Sequence, residues 1–140
     1  MESTPGPVST LDLDECWRLL TANSLGRIAL SAAGEIDIFP VNYYADGSTI
    51  LLRTAPGTKL VELTLDDRVA FEIDGYTGDM AWSVVVKGTA HQLESGDEIG
   101  EAEAAPLTPW IPTLKFRFVR ITPKEITGRK FHPAPEPERY

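Results

Sequence analysis

The chain has 140 residues, 42% hydrophobic and 24% charged, with a formal net charge of −8 and a single cysteine. This length and balance describe one globular domain and exclude a disordered, collagen-like or disulfide-stapled chain. The acidity disfavours nucleic acid as the main partner, since a polyanion would be repelled, and no apolar run reaches the roughly 20 residues that cross a bilayer.

Residues 1–10 are rich in proline and polar groups and predict a flexible start. They carry neither the basic nor the apolar segment of a secretion signal, so a soluble, cytoplasmic protein without a membrane partner is expected. Leu13–Ala22 reads as a helix: Asp12 and Glu15 have capping-box spacing, and Cys16, Trp17, Leu19 and Leu20 form an apolar stripe. Leu25–Ala32 and Glu35–Ala45 flank Ala33-Gly34, which suits a tight hairpin, and Thr49–Thr54 follows the Asp46-Gly47 turn. A short helix over Thr58–Leu65 is expected after Gly57. Arg68–Asp74 and Ala81–Leu93 alternate as strands, and Gly88 within the second signals a bend or the close approach of another backbone.

Residues 94–103 hold five acids and no base, which predicts an acidic, solvated helix over 95–104. Leu114–Thr122 and Ile126–Phe131 complete the strands, and the tail 132–140 reads as flexible. Six or seven short strands with turn signals between them predict a mainly β domain over residues 11–131, a sandwich or a barrel; a barrel would remove the exposed edges.

Two segments point to a ligand. In Glu35–Ala45 the apolar phase changes: Ile36 and Ile38 share one face, Phe39, Val41 and Tyr43 the other, with Pro40 at the change. This predicts a bulge or bend, either as a plain barrel corner or as a place where backbone groups freed from the ladder meet a planar, hydrogen-bonding ligand. In Leu52–Leu60 a strand ends at Arg53-Thr54, Pro56-Gly57 make a turn and a helix begins at Thr58 or Lys59. The first helical N–H groups, the Thr54 and Thr58 hydroxyls, Arg53 and Lys59 together suit a phosphate. An ordinary helix capped by Thr58 remains the alternative.

Other catalytic sets are missing. The two histidines, His91 and His132, lack metal-ligand spacing, there is no G-x-S-x-G elbow or Rossmann glycine pattern, and Cys16 lies on an apolar stripe. Any enzymatic chemistry would therefore belong to a cofactor. Lys115–Arg120 mixes bases and aromatics as a single-strand nucleic-acid face does, yet in an acidic chain it reads as an amphipathic strand.

Taken in order, Gly26-Arg27-Ile28-Ala29, Phe39-Pro40-Val41-Asn42-Tyr43, Arg53-Thr54-x-x-Gly57-Thr58-Lys59-Leu60, Val69–Asp74 and Trp82-Ser83-Val84-Val85-Val86-x-Gly88 resemble the pyridoxamine 5′-phosphate oxidase-like proteins. The resemblance runs from about Leu11 to Phe131. It implies a six-stranded split β-barrel of the FMN-binding type, a homodimer with FMN at the subunit interface. It further implies that Phe39, Pro40, Val41 and Asn42 lie along the isoalloxazine ring, and that Arg53, Thr54, Thr58 and Lys59 bind the phosphate. Trp82 and Ser83 would reach the flavin of the other subunit, and Trp110 would lie over the ring.

The C-terminal Arg-x-His-x-Arg-type clamp of true pyridoxamine phosphate oxidases is not reproduced in Thr127-Gly-Arg129-Lys-Phe-His132-Pro. The expected function is thus an FMN-dependent oxidoreductase acting on another small molecule. Alternatives are a non-catalytic flavin-storage module and a related split barrel using F420. Haem would want an axial ligand, and an oligonucleotide-binding barrel would rest on topology alone.

Overall fold

The computed structural model describes residues 8–54, 66–107 and 117–132. Its elements are β1 (Val8–Leu11), α1 (Leu13–Ala22), β2 (Leu25–Ala32), β3 (Glu35–Ala45), β4 (Ile50–Thr54), β5 (Arg68–Thr77), β6 (Met80–Gln92), α2 (Gly96–Ala104) and β7 (Arg117–Phe131). The expected helix over Thr58–Leu65 lies outside the described residues.

Local chemistry sets the ends of several elements. The Asp12 carboxylate caps α1 by accepting the Glu15 amide at 2.8 Å, and the Ser95 hydroxyl caps α2 by accepting the Glu98 amide at 3.1 Å. Ala33 and Gly34, with φ of 52° and 83°, turn β2 into β3 through the left-handed geometry that two-residue hairpins require. At the next turn the Asp46 carboxylate accepts the Ser48 and Thr49 amides, and the Arg120 guanidinium lies beside it at 3.5 Å. Arg120 also donates to the Thr49 hydroxyl at 2.6 Å, so one of the three bases of the Lys115–Arg120 stretch is engaged in holding this turn.

All pairings are antiparallel. The sheet runs β1-β7-β4-β3-β2-β5-β6, and β6 pairs again with β7, which closes β2–β7 into a six-stranded ring with β1 added alongside β7. The mainly β barrel expected from the sequence is present. Two differences stand out. Val8–Leu11, given no element in the sequence reading, pairs with Gly128–Phe131. The two C-terminal strands are one: β7 continues through Pro123 because a bulge at its pairing with Lys87 and Gly88 absorbs an extra residue. Gly88 is what allows that approach, since a Cβ there would collide with the Thr122 carbonyl.

The expected bulge in β3 is absent. Its register with β2 runs unbroken from Leu25 opposite Asn42 to Ala32 opposite Glu35. The side chains alternate throughout: Val41, Tyr43 and Ala45 point into the ring, whereas Ile36 and Ile38 stand on the outside, 73% and 65% exposed. The apparent phase change came from apolar residues on both faces of one regular strand. Pro40 sits in the part of β3 paired with β2, opposite Arg27.

Inside the ring, Tyr43, Phe71, Ile73, Val84, Val86 and Ile121 make the core, and Leu20 and Cys16 of α1 plug one end. Tyr43 meets Phe71 edge to face at 4.9 Å and donates its hydroxyl to the Leu20 carbonyl at 2.7 Å, tying α1 to the barrel. Burial pushes the Tyr43 phenol above its ordinary 10.0. A raised pKa contributes stability below the ordinary value that is lost as pH climbs through the folded one. Tyr43→Phe is therefore expected to lower stability by about 1.5 kcal/mol at neutral pH, from the orphaned Leu20 carbonyl, and to show a weaker alkaline decline. Urea midpoints at pH 7 and pH 10.5 measure both, and equal midpoints for the two proteins at pH 7 would remove this tie from the account.

A second, smaller core lies on the outer side of β4 and β7, where Leu51, Leu93 and Phe118 pack against Ala102 of α2. The acidic helix is thus docked through Ala102, while Asp97, Glu101 and Glu103 remain on the exposed face that the sequence led one to expect.

Candidate functional site

Register places the sequence-derived candidates on three strands. On β3, Phe39 and Val41 face inward and Pro40 and Asn42 outward, with Asn42 the one buried polar side chain among the described residues at 8% exposure. Arg53 and Thr54 end β4, opposite Phe118 and Arg117 of β7. Arg53 lies on the outer face and donates from Nη1 to the Leu107 carbonyl at 3.3 Å, just past the end of α2. Thr58, Lys59 and Trp110 lie outside the described residues.

On β6 the two candidates part company. Trp82 points inward, 8% exposed, with its ring against Gly75 and its indole N–H donating to the Thr77 hydroxyl at 3.2 Å. Ser83 points outward between Asp74 and Arg129. Two strands separate β3 from β6 in either direction round the ring, β2 and β5 or β4 and β7, so within one chain Ser83 lies on the side of the barrel opposite the Pro40–Asn42 strand. One protomer brings Asn42 and Arg53 onto adjoining strands and leaves Ser83 apart.

Three features were not read from the sequence. Arg27 donates to Glu72 at 3.0 Å and to Asp74 at 2.9 Å on the outer face, and these hydrogen bonds hold its guanidinium above its ordinary pKa. The only sequence trace of this triad was its alternating strand pattern, because its members stand 45 and 47 positions apart. Beside the triad, Ile38, Ala29, Ala70 and Lys87 form one line across four strands. Small Ala29, Ser31 and Ala70 leave a groove there of about 460 Å³, walled by Ile36, Arg68 and Lys124. Finally, the end of α2 encloses a hollow of about 240 Å³ lined by Arg53, Phe118 and Leu107.

Cys16 is buried, and burial, with help from Asp12 and Glu15, pushes its thiol up, away from a nucleophile's range. Among the described residues no cluster of three or more His, Cys, Asp or Glu could hold a metal, and no helix is long and apolar enough to cross a membrane.

Comparison with known proteins places this geometry. A model of the pyridoxamine 5′-phosphate oxidase family matches residues 12–130. An uncharacterized protein of Mycobacterium tuberculosis is 47% identical over 93 residues, 66% of this chain and 84% of that protein. Among solved structures, a candidate pyridoxamine 5′-phosphate oxidase of Corynebacterium glutamicum is 46% identical, with a TM-score of 0.85 over 91% of this chain and all of that one. An FAD-binding protein of Mycobacterium smegmatis is 39% identical, with a TM-score of 0.78 over 90% of this chain and all of that one.

Proposed function

The chain belongs to the pyridoxamine 5′-phosphate oxidase family, and from that premise we propose that it is a homodimeric flavin-dependent oxidoreductase acting on a small molecule. The flavin is held through riboflavin 5′-phosphate, the unit that FMN and FAD share. The observation that carries the reading is Arg53 at the end of β4, on the strand next to Phe39–Asn42, in a chain 39% identical to an FAD-binding protein. Phe39, Pro40, Val41 and Asn42 lie along the ring in this proposal, and Arg53, Thr54, Thr58 and Lys59 take the phosphate, Arg through its fork and Lys as a point charge. The flavin would supply hydride chemistry; the chain's residues bind it, orient it and exclude water. Thr127–His132 lacks the substrate-phosphate clamp, and its Gly128 backbone is packed beneath Cys16, so pyridoxamine phosphate is not the proposed substrate.

The outer face supports a two-fold pairing. Ile36 and Ile38 protrude beside the groove floored by Ala29, Ser31 and Ala70, so one surface carries both a knob and a hole, as a self-complementary interface requires. Such a pairing would bring the partner's β6, with Ser83 outward and Trp82 anchored behind it, toward the flavin. Ile38→Asp is expected to give a monomer in sedimentation and to weaken flavin retention together. A dimer that survives this change would place the interface elsewhere.

The direct test is reconstitution. Purified protein incubated with FMN or FAD and then gel-filtered should keep the visible flavin spectrum, and anaerobic NADH or NADPH should bleach it. A colourless product with both flavins overturns the reading; a coloured protein that no nicotinamide donor bleaches and that oxygen does not reoxidise after chemical reduction is a flavin store.

A further inference from the structure

We propose that the hollows between α2 and the outer face of β4 and β7 take the adenosine half of FAD, so that FAD is retained in preference to FMN; this rests on the flavin reading above. The first hollow, about 240 Å³, is lined by Arg53, Phe118, Leu107 and Glu103. A second, about 380 Å³, shares Phe118 and Glu103 and adds Gln92 and Arg117. The first is smaller than the roughly 300–1,000 Å³ of a whole small-molecule site, so it suits a fragment rather than an isoalloxazine ring with its ribityl chain.

The chemistry follows the order of an adenine nucleotide. Arg53, already the candidate phosphate ligand, opens onto the first hollow. Phe118, directly opposite Arg53 in register and 5% exposed, is the floor that the two hollows share. Glu103, which shares the first hollow with Arg53 and the second with Arg117, offers carboxylate oxygens that can accept from ribose hydroxyls. The Gln92 amide both donates and accepts, which matches the N6/N7 edge of adenine.

The phosphate of FMN carries about −1.5 to −2 at pH 7 and the pyrophosphate of FAD a similar charge, so what distinguishes FAD at these hollows is the uncharged nucleoside beyond its phosphates. FMN ends at its phosphate and offers nothing to Glu103 or Gln92.

Titration of the full chain with FMN and FAD, followed by flavin fluorescence and by calorimetry, tests this without any activity readout. FAD should bind about tenfold or more tighter than FMN, and free adenosine should displace FAD but not FMN. Ala105→Trp, which fills the first hollow, should lower the FAD-to-FMN affinity ratio about tenfold. The Gln92→Leu/Glu103→Gln pair should do the same without adding bulk, which guards against a folding defect in the first variant. Equal affinities for FMN and FAD in the unaltered protein, or an unchanged ratio in both variants, overturn the proposal while leaving flavin binding intact. Adenosine binding with equal flavin affinities would make the hollows a free-nucleoside site and also overturn it. Failure of both flavins to bind sinks the flavin reading itself.

Discussion

Gly88→Val is expected to keep the barrel from closing. Gly88 faces Pro123 at the bulge where β6 meets β7, and any Cβ there would run into the Thr122 carbonyl, a backbone atom with no rotamer to escape through. The β6–β7 ladder runs from Ala81 to Gln92 and completes the ring. Forcing it apart strains or breaks the seam. Overpacking of this kind costs about 1–3 kcal/mol when neighbours can shift, and a backbone clash puts Gly88→Ala near the top of that range, with valine beyond it. Domains of this size hold only about 5–15 kcal/mol in reserve. The valine variant should therefore lose much of its urea midpoint or accumulate insoluble, because an unclosed ring exposes two strand edges. Gly100→Ala is the control: nothing lies within 4 Å of a Cβ there, and in α2 alanine should gain up to about 1 kcal/mol. A Gly88→Ala protein with the original midpoint would show that the seam yields easily.

The second large effect concerns the ligand. Arg53→Ala combined with Lys59→Ala should abolish flavin retention through gel filtration. Each charge-assisted contact to phosphate is worth about 1.5–3 kcal/mol, so losing two raises the dissociation constant by about 100-fold or more. Arg53→Lys alone keeps the charge and loses the fork, and an intermediate loss is expected. Because the phosphate is common to both flavins, FMN and FAD should weaken together, unlike the selective effect expected at Ala105. Far-ultraviolet circular dichroism checks that the barrel persists, and flavin titration at several salt concentrations should show a shallower salt dependence in the double variant. Unchanged flavin affinity in that variant would mean the phosphate is held elsewhere.

Much of this molecule was legible before any coordinates, and the legible parts share a character. Asp12 capping α1, the Ala33-Gly34 hairpin and the end of a strand at Arg53 each depend on a few consecutive residues whose backbone preferences or caps act locally. The ordered set of short motifs then pointed to the family that the match over residues 12–130 bears out.

The parts that needed the tertiary structure depend on partners far away in the chain. Val8–Leu11 becomes a strand only because Gly128–Phe131 is beside it, and Arg27 acquires its carboxylates only through the β2–β5 register. Ile36 and Ile38 mimicked a change of strand phase because periodicity records which residues are apolar and not which face of a closed ring they meet. Likewise the acidic run at 94–103 announced the solvated face of a surface helix, but not that Ala102 on its other side packs against Leu51, Leu93 and Phe118. Arg53 carries both lessons. Its place at the end of a strand was legible in adjacent residues. The hollow beside Arg53 exists because α2, some fifty residues later in the chain, folds back across β4 and β7.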